Sequence, residues 1–214
     1  MSDPTSNSRQ QLKEKICQTA LCLFHKHGIR QVKMDDISTA LSISKRTLYE
    51  LYTNKMELLG EVLELQYTMN HERLKHELKA EANTMDALIL VLRISVEELN
   101  KVSVDFLDDL HRYPEALQKL DKLEKQNDEE ISMFLQKGVE EGFFLPEVNF
   151  RLMDDIVRLI KSQTTLYQQY GMKTVWTTLV RVFLRSICTL KGIQKLDTFL
   201  DKMESEDNIF SPDC

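Results

Sequence analysis

The sequence predicts an all-α protein, and three observations support this. Apolar residues recur at steps of three and four along most of the chain, which is the spacing of amphipathic helices. Only 6 Gly and 4 Pro occur among 214 residues, too few for a β-rich protein with many tight turns. Hydrophobic residues make up 42% and charged residues 29% of the chain, as in ordinary globular domains. We therefore expect a folded helical protein with a sizeable core.

The same composition limits where the protein acts and what it holds. The longest apolar run, residues 87–92, is far shorter than the roughly 18 to 20 residues that a membrane span needs. The first ten residues contain no apolar signal segment. Four cysteines without metal or redox spacing are interpreted as reduced thiols. The sequence therefore predicts a soluble, cytoplasmic protein with no membrane partner, no cofactor and no metal site.

Charge is distributed unevenly along the chain. The formal net charge of −6 argues against a protein that coats nucleic acid indiscriminately. Residues 1–60 contain nine Lys or Arg and six Asp or Glu, whereas the remainder contains 19 and 28. A basic N-terminal part followed by an acidic remainder suits a protein whose N-terminal part alone meets a polyanion.

Three short helices are predicted near the N-terminus, after a polar tail at residues 1–8 that we expect to be disordered. Their apolar stripes cover residues 9–27, 34–41 and 45–52. Gly28 supplies a left-handed cap for the first helix. Ser44 precedes the third helix, and its hydroxyl can accept a hydrogen bond from an amide of the first turn. Residues 9–53 are therefore predicted to form a compact three-helix domain.

The rest of the chain is predicted as a helical body at residues 54–193, followed by a C-terminal extension at residues 194–214. The predicted helices of the body cover residues 53–80, 85–102, 104–112, 115–138, 148–170 and 172–190. Glycine or proline residues mark several of their ends. No internal repeat is present to suggest a solenoid.

A very short link joins the second and third helices, and the third exposes cationic, hydroxyl and aromatic groups. At 100° per residue, the side chains on or beside its outer face are those of Lys45, Arg46, Thr47 and Tyr49. Such a helix fits the major groove of DNA, where Arg and Lys donate to guanine and hydroxyls bind phosphate. The pattern indicates a helix-turn-helix, although ordinary solvated charges on a surface helix produce the same pattern.

A signature within residues 28–59 favours the helix-turn-helix over an ordinary surface helix. It consists of Thr47-Leu48-Tyr49, followed by an aromatic residue at Tyr52 and a lysine at Lys55. This stretch closely resembles the DNA-binding domain of the tetracycline-repressor (TetR) family of transcriptional regulators, and with the first helix the resemblance covers about fifty residues. The family implies a homodimer on double-stranded DNA, a helical C-terminal domain that binds a small-molecule effector, and release from a palindromic operator when the effector binds.

The resemblance also implies which residues contact DNA. Lys45, Arg46 and Tyr49 correspond to positions that meet base edges, Thr47 and Tyr49 also lie near phosphate, and Lys55 meets the phosphate backbone. The full set of expected DNA-binding residues is Lys33, Ser44, Lys45, Arg46, Thr47, Tyr49, Tyr52 and Lys55.

This sequence departs from the family at three positions. Lys33 replaces a threonine that caps the second helix and touches phosphate; a lysine can reach phosphate but cannot cap. Asp35 or Asp36 is expected to complement the positive end of that helix instead. Ser42 replaces the usual turn glycine, and Leu51 replaces a residue that is often aromatic or polar.

Two segments of the body are expected to form the dimer interface. The resemblance implies that the helices from Val148 to Tyr170 and from Met172 to Leu190 pair with their counterparts in a second chain as a four-helix bundle. They are more apolar than an exposed helix pair would tolerate. The alternative is that they form the core of the monomer.

The candidates for an effector site are weaker. They are Arg93, His111, Tyr113 and Trp176. An arginine in an apolar helix is more often ion-paired than ligand-binding, and a lone tryptophan is more often packed in a core.

Other classes of function fit less well. His71 and His76 are five residues apart, so their side chains point in different directions around a helix and do not form a zinc site. The Asp108–His111 pair has the spacing of a di-iron motif but occurs once where two copies are needed. We therefore expect a repressor and no enzyme. The alternative is a helical protein-interaction module that has kept the N-terminal domain without binding DNA.

Overall fold

The computed structural model describes residues 4–110, 112–125, 128–161 and 163–205. The helices are α1 (Pro4–His27), α2 (Met34–Ala40), α3 (Lys45–Leu51), α4 (Lys55–Glu77), α5 (Thr84–Lys101), α6 (Val104–Leu110), α7 (Pro114–Lys125), α8 (Asp128–Glu140), α9 (Phe150–Lys161), α10 (Thr164–Tyr170), α11 (Met172–Leu179), α12 (Arg185–Ile187) and α13 (Leu190–Ser205). The described residues contain no β-strand beyond an isolated bridge between Phe144 and Cys188. The prediction of an all-α protein is confirmed.

The first helix begins earlier than its apolar stripe. Helix α1 begins at Pro4, five residues before the predicted start. Proline is favoured in the first turn of a helix because its missing N–H would have no partner there. Residues 4–8, predicted as part of a disordered tail, are therefore helical; residues 1–3 lie outside the described residues.

Several predicted helices of the body are interrupted. The predicted helix over residues 148–170 is divided into α9 and α10. The predicted helix over residues 172–190 continues from α11 into a π-helical segment, Val180–Leu184, and ends with α12. The apolar spacing continues through Val180–Leu184, so the sequence pattern does not reveal the π-helical segment. Residues 161–165, by contrast, are all polar and coincide with the change from α9 to α10.

The chain divides into two compact units. The head unit contains the described residues up to 69 together with those in 105–125; the body unit contains residues 70–104 and the described residues from 128 onward. The domain boundary predicted from the sequence lies at residues 53–54, which would make the two domains consecutive along the chain. In the structure the division lies within α4, and α7 and nearly all of α6 belong to the head unit.

The core of the head unit comes from the inward faces of its helices. Helix α2 contacts both α1 and α3. Ile16, Phe24, Ile37, Leu48 and Leu58 are fully buried. Since these residues follow the helical spacing that predicted α1 to α4, the head unit folds as its sequence pattern indicates.

The core of the body unit is centred on α5, which contacts α8, α11 and α13. Met85 and Val96 of α5 are buried with Phe144, Leu196 and Leu200 in one cluster. Leu196 and Leu200 lie in the segment predicted as a C-terminal extension. Helix α13 therefore packs as part of the body, and only residues 206–214 of that segment lie outside the described residues.

Candidate functional site

The start of α2 is held by an aspartate. The backbone N–H of Lys33 donates to Asp36 Oδ2 at 2.7 Å, while the Lys33 side chain is exposed and makes no capping hydrogen bond. The carboxylate of Asp36 also lies at the positive end of the helix. Asp36 therefore satisfies the N–H of the N-cap residue, while the Lys33 side chain is exposed to solvent.

The turn between α2 and α3 has a left-handed residue. Ser42 has φ of 54°, a conformation that favours glycine. Its N–H donates to the Thr39 carbonyl at 3.0 Å, and the N–H of Ile43 donates to Ser38 at 3.0 Å. The turn therefore keeps the geometry that a glycine would supply, at some cost in backbone energy.

Ser44 caps α3. Its hydroxyl accepts from the N–H of Thr47 at 3.0 Å, and the two hydroxyls are 2.8 Å apart. The predicted N-cap is confirmed. It fixes the direction in which α3 leaves the turn, and therefore which side chains α3 exposes.

The outer face of α3 carries two cations, each next to a carboxylate. Lys45 Nζ lies 2.5 Å from Asp35 Oδ2, and Arg46 Nε lies 2.8 Å from Glu50 Oε1. The hydrogen bond that Lys45 donates to Asp35 raises the pKa of Lys45. The Arg46 side chain is 88% exposed, and Tyr49 is also exposed. These side chains are therefore accessible to a large partner.

Tyr52 lies on the opposite side, inside the head unit. It has no exposed surface. Its hydroxyl donates to Glu61 Oε2 at 2.9 Å and lies 3.2 Å from the sulfur of Cys17. Burial raises the pKa of both Tyr52 and Cys17. Because the side chain is enclosed, we give Tyr52 a packing role and leave it out of the DNA-contacting set.

Lys55 binds the loop between α1 and α2. Its ammonium donates to the carbonyls of Ile29 and Val32 at 2.8 and 2.9 Å. Burial lowers the pKa of Lys55. The ammonium also lies 3.5 Å from the carbonyl of Arg30, so all three of its donors face this loop. Lys55 was expected to bind a phosphate directly, but in the structure its ammonium holds the loop that leads into α2.

Asp109 supports the same loop and was missed by sequence analysis. Its Oδ2 accepts from the backbone N–H of Arg30 at 2.7 Å, and the residue is 5% exposed. A methyl group added at Gly28 would lie 3.1 Å from that oxygen, so the close approach needs glycine. In the sequence, Asp109 had no assigned role and lay only inside the Asp108–His111 pair. Its contact is 79 residues away along the chain, which no local pattern signals.

The body unit contains an apolar cavity of about 400 Å³. It lies between α5, α8, α9, α11 and the π-helical segment. The lining includes Leu92, Leu135, Phe150, Trp176, Val180 and Phe183. Its polar lining residues are Ser95, Ser132 and Arg151. Cavities of this size accept drug-sized molecules.

Among the described residues that were expected at an effector site, Trp176 alone lines this cavity. Tyr113 belongs to the head unit, and His111 lies outside the described residues. Arg93 is on another face of α5, about 100° from Leu92. Arg93 is thus no longer a candidate for lining this cavity, because its helical position turns it away from Leu92.

Arg93 belongs instead to an ion network between α4 and α5. Arg73 Nε lies 2.6 Å from Glu77 Oε1, and Arg73 Nη1 lies 2.6 Å from Glu97 Oε2. Arg93 Nη2 also contacts Glu77. The hydrogen bond with Arg73 lowers the pKa of Glu77. One face of α5 therefore lines the cavity while another is tied to α4.

Large apolar side chains are exposed on the two segments expected to form a dimer. Leu152, Leu159 and Val182 are 55%, 64% and 58% exposed. Other residues of these segments, Val175 and Trp176 among them, are buried. The segments thus contribute to the core of the body and still present an apolar outer face.

Within the described part of the chain, no group of three or more His, Cys, Asp or Glu residues is arranged to hold a metal ion. None of the helices there is long and apolar enough to cross a membrane.

Comparison with known proteins identifies the class. Residues 16–62 match the family of bacterial regulatory proteins of the tetR type. The HTH-type transcriptional repressor KstR2 of Mycobacterium tuberculosis is 24% identical over 155 residues, which cover 70% of this chain and 76% of the relative. The matched residues contain the complete α2–α3 arrangement described above. The chain therefore has a helix-turn-helix DNA-binding domain.

Two solved structures show the fold over most of the chain. The regulator FadR of Bacillus subtilis, solved with stearoyl-CoA, has a TM-score of 0.63 at 17% identity, covering 81% of this chain and 98% of that one. A putative regulator from Saccharomonospora viridis, solved with choline, has a TM-score of 0.65 at 17% identity, covering 84% and 99%. The chain therefore carries a tetR-type DNA-binding domain at residues 16–62 and shares the fold of these two regulators over most of its length.

Proposed function

We propose that this protein is a homodimeric transcriptional repressor that leaves a palindromic operator when a small molecule binds in the body unit. The observation that carries the proposal is the exposed face of α3, where Arg46 and Tyr49 extend into solvent from a helix anchored by Leu48 and capped by Ser44. A rigid helix with donors on its outer side suits the major groove.

The DNA contacts divide into two groups in this proposal. Lys45, Arg46 and Tyr49 read base edges. Thr47, Ser44 and Lys33 lie at the start of α3 and α2, where hydroxyl and ammonium groups serve phosphate oxygens. Lys55 acts indirectly, by fixing the loop that leads into α2.

The proposed dimer uses the segments 148–170 and 172–190. Their exposed leucine and valine side chains provide the apolar area that a second copy would cover. Two copies place two α3 helices about one DNA turn apart, roughly 34 to 36 Å, on a site with twofold symmetry. Because such a protein binds the DNA of the cell, its proposed location is the cytoplasm.

The proposed effector site is the cavity beside Trp176. Its lining is mostly apolar, with Arg151 as its charged side chain, and this favours a largely hydrocarbon molecule because burying an unpaired polar group is costly. Structures of similar fold were solved with stearoyl-CoA and with choline, so relatives accommodate both long-chain and small cationic ligands. The apolar lining makes the first kind the better starting point for this chain.

Gel shifts with the DNA upstream of the protein's own gene, repeated over a series of salt concentrations, test the DNA-binding proposal. We expect a shifted band whose affinity falls steeply with salt, as counterions are released from phosphates. Absence of specific binding at every salt concentration would leave the protein-interaction alternative.

The effector proposal has a separate test. Trp176 is the only tryptophan in the chain, so its fluorescence reports occupancy of the cavity directly. Fatty acids and acyl-CoAs of increasing chain length are titrated with and without operator. If the two sites are coupled, the operator lowers the affinity for the effector by a certain factor. The effector must then lower the affinity for the operator by the same factor.

A further inference from the structure

Glu50 is an acidic side chain on the face of α3 that is proposed to meet DNA. It lies one helical turn after Arg46, its side chain is 59% exposed, and its Oε1 is 2.8 Å from Arg46 Nε. An exposed ion pair of this i,i+4 type contributes little to stability. Helix stability therefore does not explain a carboxylate at this position.

A carboxylate inserted between phosphate strands is unfavourable unless it finds a donor. It loses water and approaches negative charges on both sides of the groove. The donors of the major groove are the amino groups of cytosine and adenine, and a glutamate accepts from cytosine N4. A purely acceptor side chain on this face thus has one well-matched base.

The contact with Arg46 places the two side chains over neighbouring bases. Four residues of helix advance about 6 Å, whereas successive base pairs are about 3.4 Å apart. Because the side chains lean together until their polar atoms touch, their ends fall within one base-pair step. Arg46 uses Nε for this contact, and with 88% of the side chain exposed its terminal nitrogens stay open to guanine O6 and N7.

Lys45 provides the internal comparison. Its carboxylate partner, Asp35, is on α2, so that acid is not carried by the helix that enters the groove. Of the two acids, Asp35 and Glu50, only Glu50 belongs to the helix that is proposed to lie in the groove.

We propose that Glu50 is a specificity-determining residue, which accepts a hydrogen bond from the N4 amino group of a cytosine within one base-pair step of the guanine contacted by Arg46. This inference rests on the proposed function as a DNA-binding regulator. It adds a base to the recognition code that the positive residues of α3 do not supply.

Selection from a randomised duplex pool tests the inference with the full-length protein and three variants. Glu50→Gln keeps the shape but adds a donor, which suits adenine N6 and N7. Glu50→Ala removes the acceptor. Glu14→Gln is the matched control, because Glu14 is an exposed acid on α1 and its change removes the same charge.

We expect the wild-type protein and Glu14→Gln to enrich the same motif with a guanine and an adjacent cytosine. Glu50→Gln should shift that cytosine toward adenine, and Glu50→Ala should leave the position unselected while the guanine is retained. Replacing the cytosine by pyrimidin-2-one, which lacks the amino group, should weaken wild-type binding roughly tenfold and leave Glu50→Ala binding unchanged.

The possible outcomes separate the two levels of the proposal. If the wild-type protein enriches no motif, the proposed DNA-binding function fails. The assignment of Glu50 is overturned, while DNA binding stands, if the wild-type protein and both Glu50 variants enrich the same motif at every position. The same conclusion follows if Glu50→Ala tightens binding to all duplexes equally.

Discussion

Residues of α3 and the residue that follows its end differ in their exposure to solvent. Arg46 is 88% exposed at the side chain, whereas Tyr52, six positions later, is fully enclosed and bonded to Glu61. The sequence signature includes both kinds of residue. Conclusions about DNA contact therefore follow from exposure in the folded chain rather than from membership of the signature.

Arg46→Ala should relax base preference. The variant loses a donor to a base edge, which is worth about 1–3 kcal/mol of discrimination, while phosphate contacts persist. Affinities for a selected duplex and a random duplex are measured side by side. Arg112→Ala, which removes an exposed positive charge elsewhere in the head unit, should leave the ratio unchanged. Equal losses of Arg46→Ala on both duplexes would refute the assignment.

Lys55→Ala should weaken binding to all duplexes alike and also destabilise the protein. Removing the ammonium leaves the carbonyls of Ile29 and Val32 without their partner, which costs about 1–3 kcal/mol of unfolding free energy. Urea unfolding provides the measurement. The control is Lys119→Ala, which breaks the exposed ion pair with Glu64 and should cost less than about 1 kcal/mol. Unchanged stability in Lys55→Ala would contradict the supporting role.

At the scale of elements, the turn before α3 and the two faces of α5 are the informative features. The turn determines how α3 is presented, and it does so with a serine in a left-handed conformation. Helix α5 lines the cavity with Leu92 and is tied to α4 through Arg93. A change at the cavity that moves α5 must therefore also act on the ion network at the C-terminal end of α4.

Ser42→Gly should stabilise the protein. A left-handed residue with a side chain costs about 1–2 kcal/mol, part of which is offset by the greater freedom of glycine in the unfolded chain, so we expect a gain of about 0.5–1 kcal/mol. The gain is measured as a shift of the urea midpoint. Ser42→Ala retains the Cβ atom and should bring no gain; if it stabilises as much as glycine, backbone strain is not the cause.

At the scale of the whole molecule, the proposed function requires a second copy of the chain to cover the apolar outer face of the body unit. Exposed apolar side chains occur on both segments of the proposed interface, as at Leu152, Leu159 and Val182. A repressor that reads two half-sites needs two copies held at fixed spacing. Dimerisation and specific DNA binding should therefore be lost together.

Leu159→Glu should shift the protein toward monomers, because a charge would be buried at the centre of an apolar contact. Sedimentation equilibrium measures the association, and gel shifts measure operator affinity in the same samples. Met133→Glu places the same charge on the exposed side of α8, where Met133 is 65% exposed, and should leave both properties intact. A Leu159→Glu protein that remains dimeric would exclude this face.

Much of the fold could be predicted from sequence. The apolar spacing of residues such as Ile16, Phe24 and Leu48 predicted the head helices, because each packs a face whose repeat matches the helix. Ser44 was predicted as a cap because capping involves residues three apart. The π-helical segment Val180–Leu184 was not predicted, since the apolar pattern continues through it. The division between α9 and α10 was also not predicted, although the sequence is polar over residues 161–165.

The sequence by itself determined the helical class and the side chains available on the outer face of α3, because these depend on the spacing of near neighbours along the chain. The helix-turn-helix was indicated by the resemblance of residues 28–59 to a known family. Tertiary structure decided that Lys55 and Asp109 support one loop, that Tyr52 is enclosed, and that Trp176 lines the cavity while Arg93 does not. These facts depend on contacts between residues far apart in sequence. Such contacts exist only after packing has brought separate helices together, so no local periodicity encodes them.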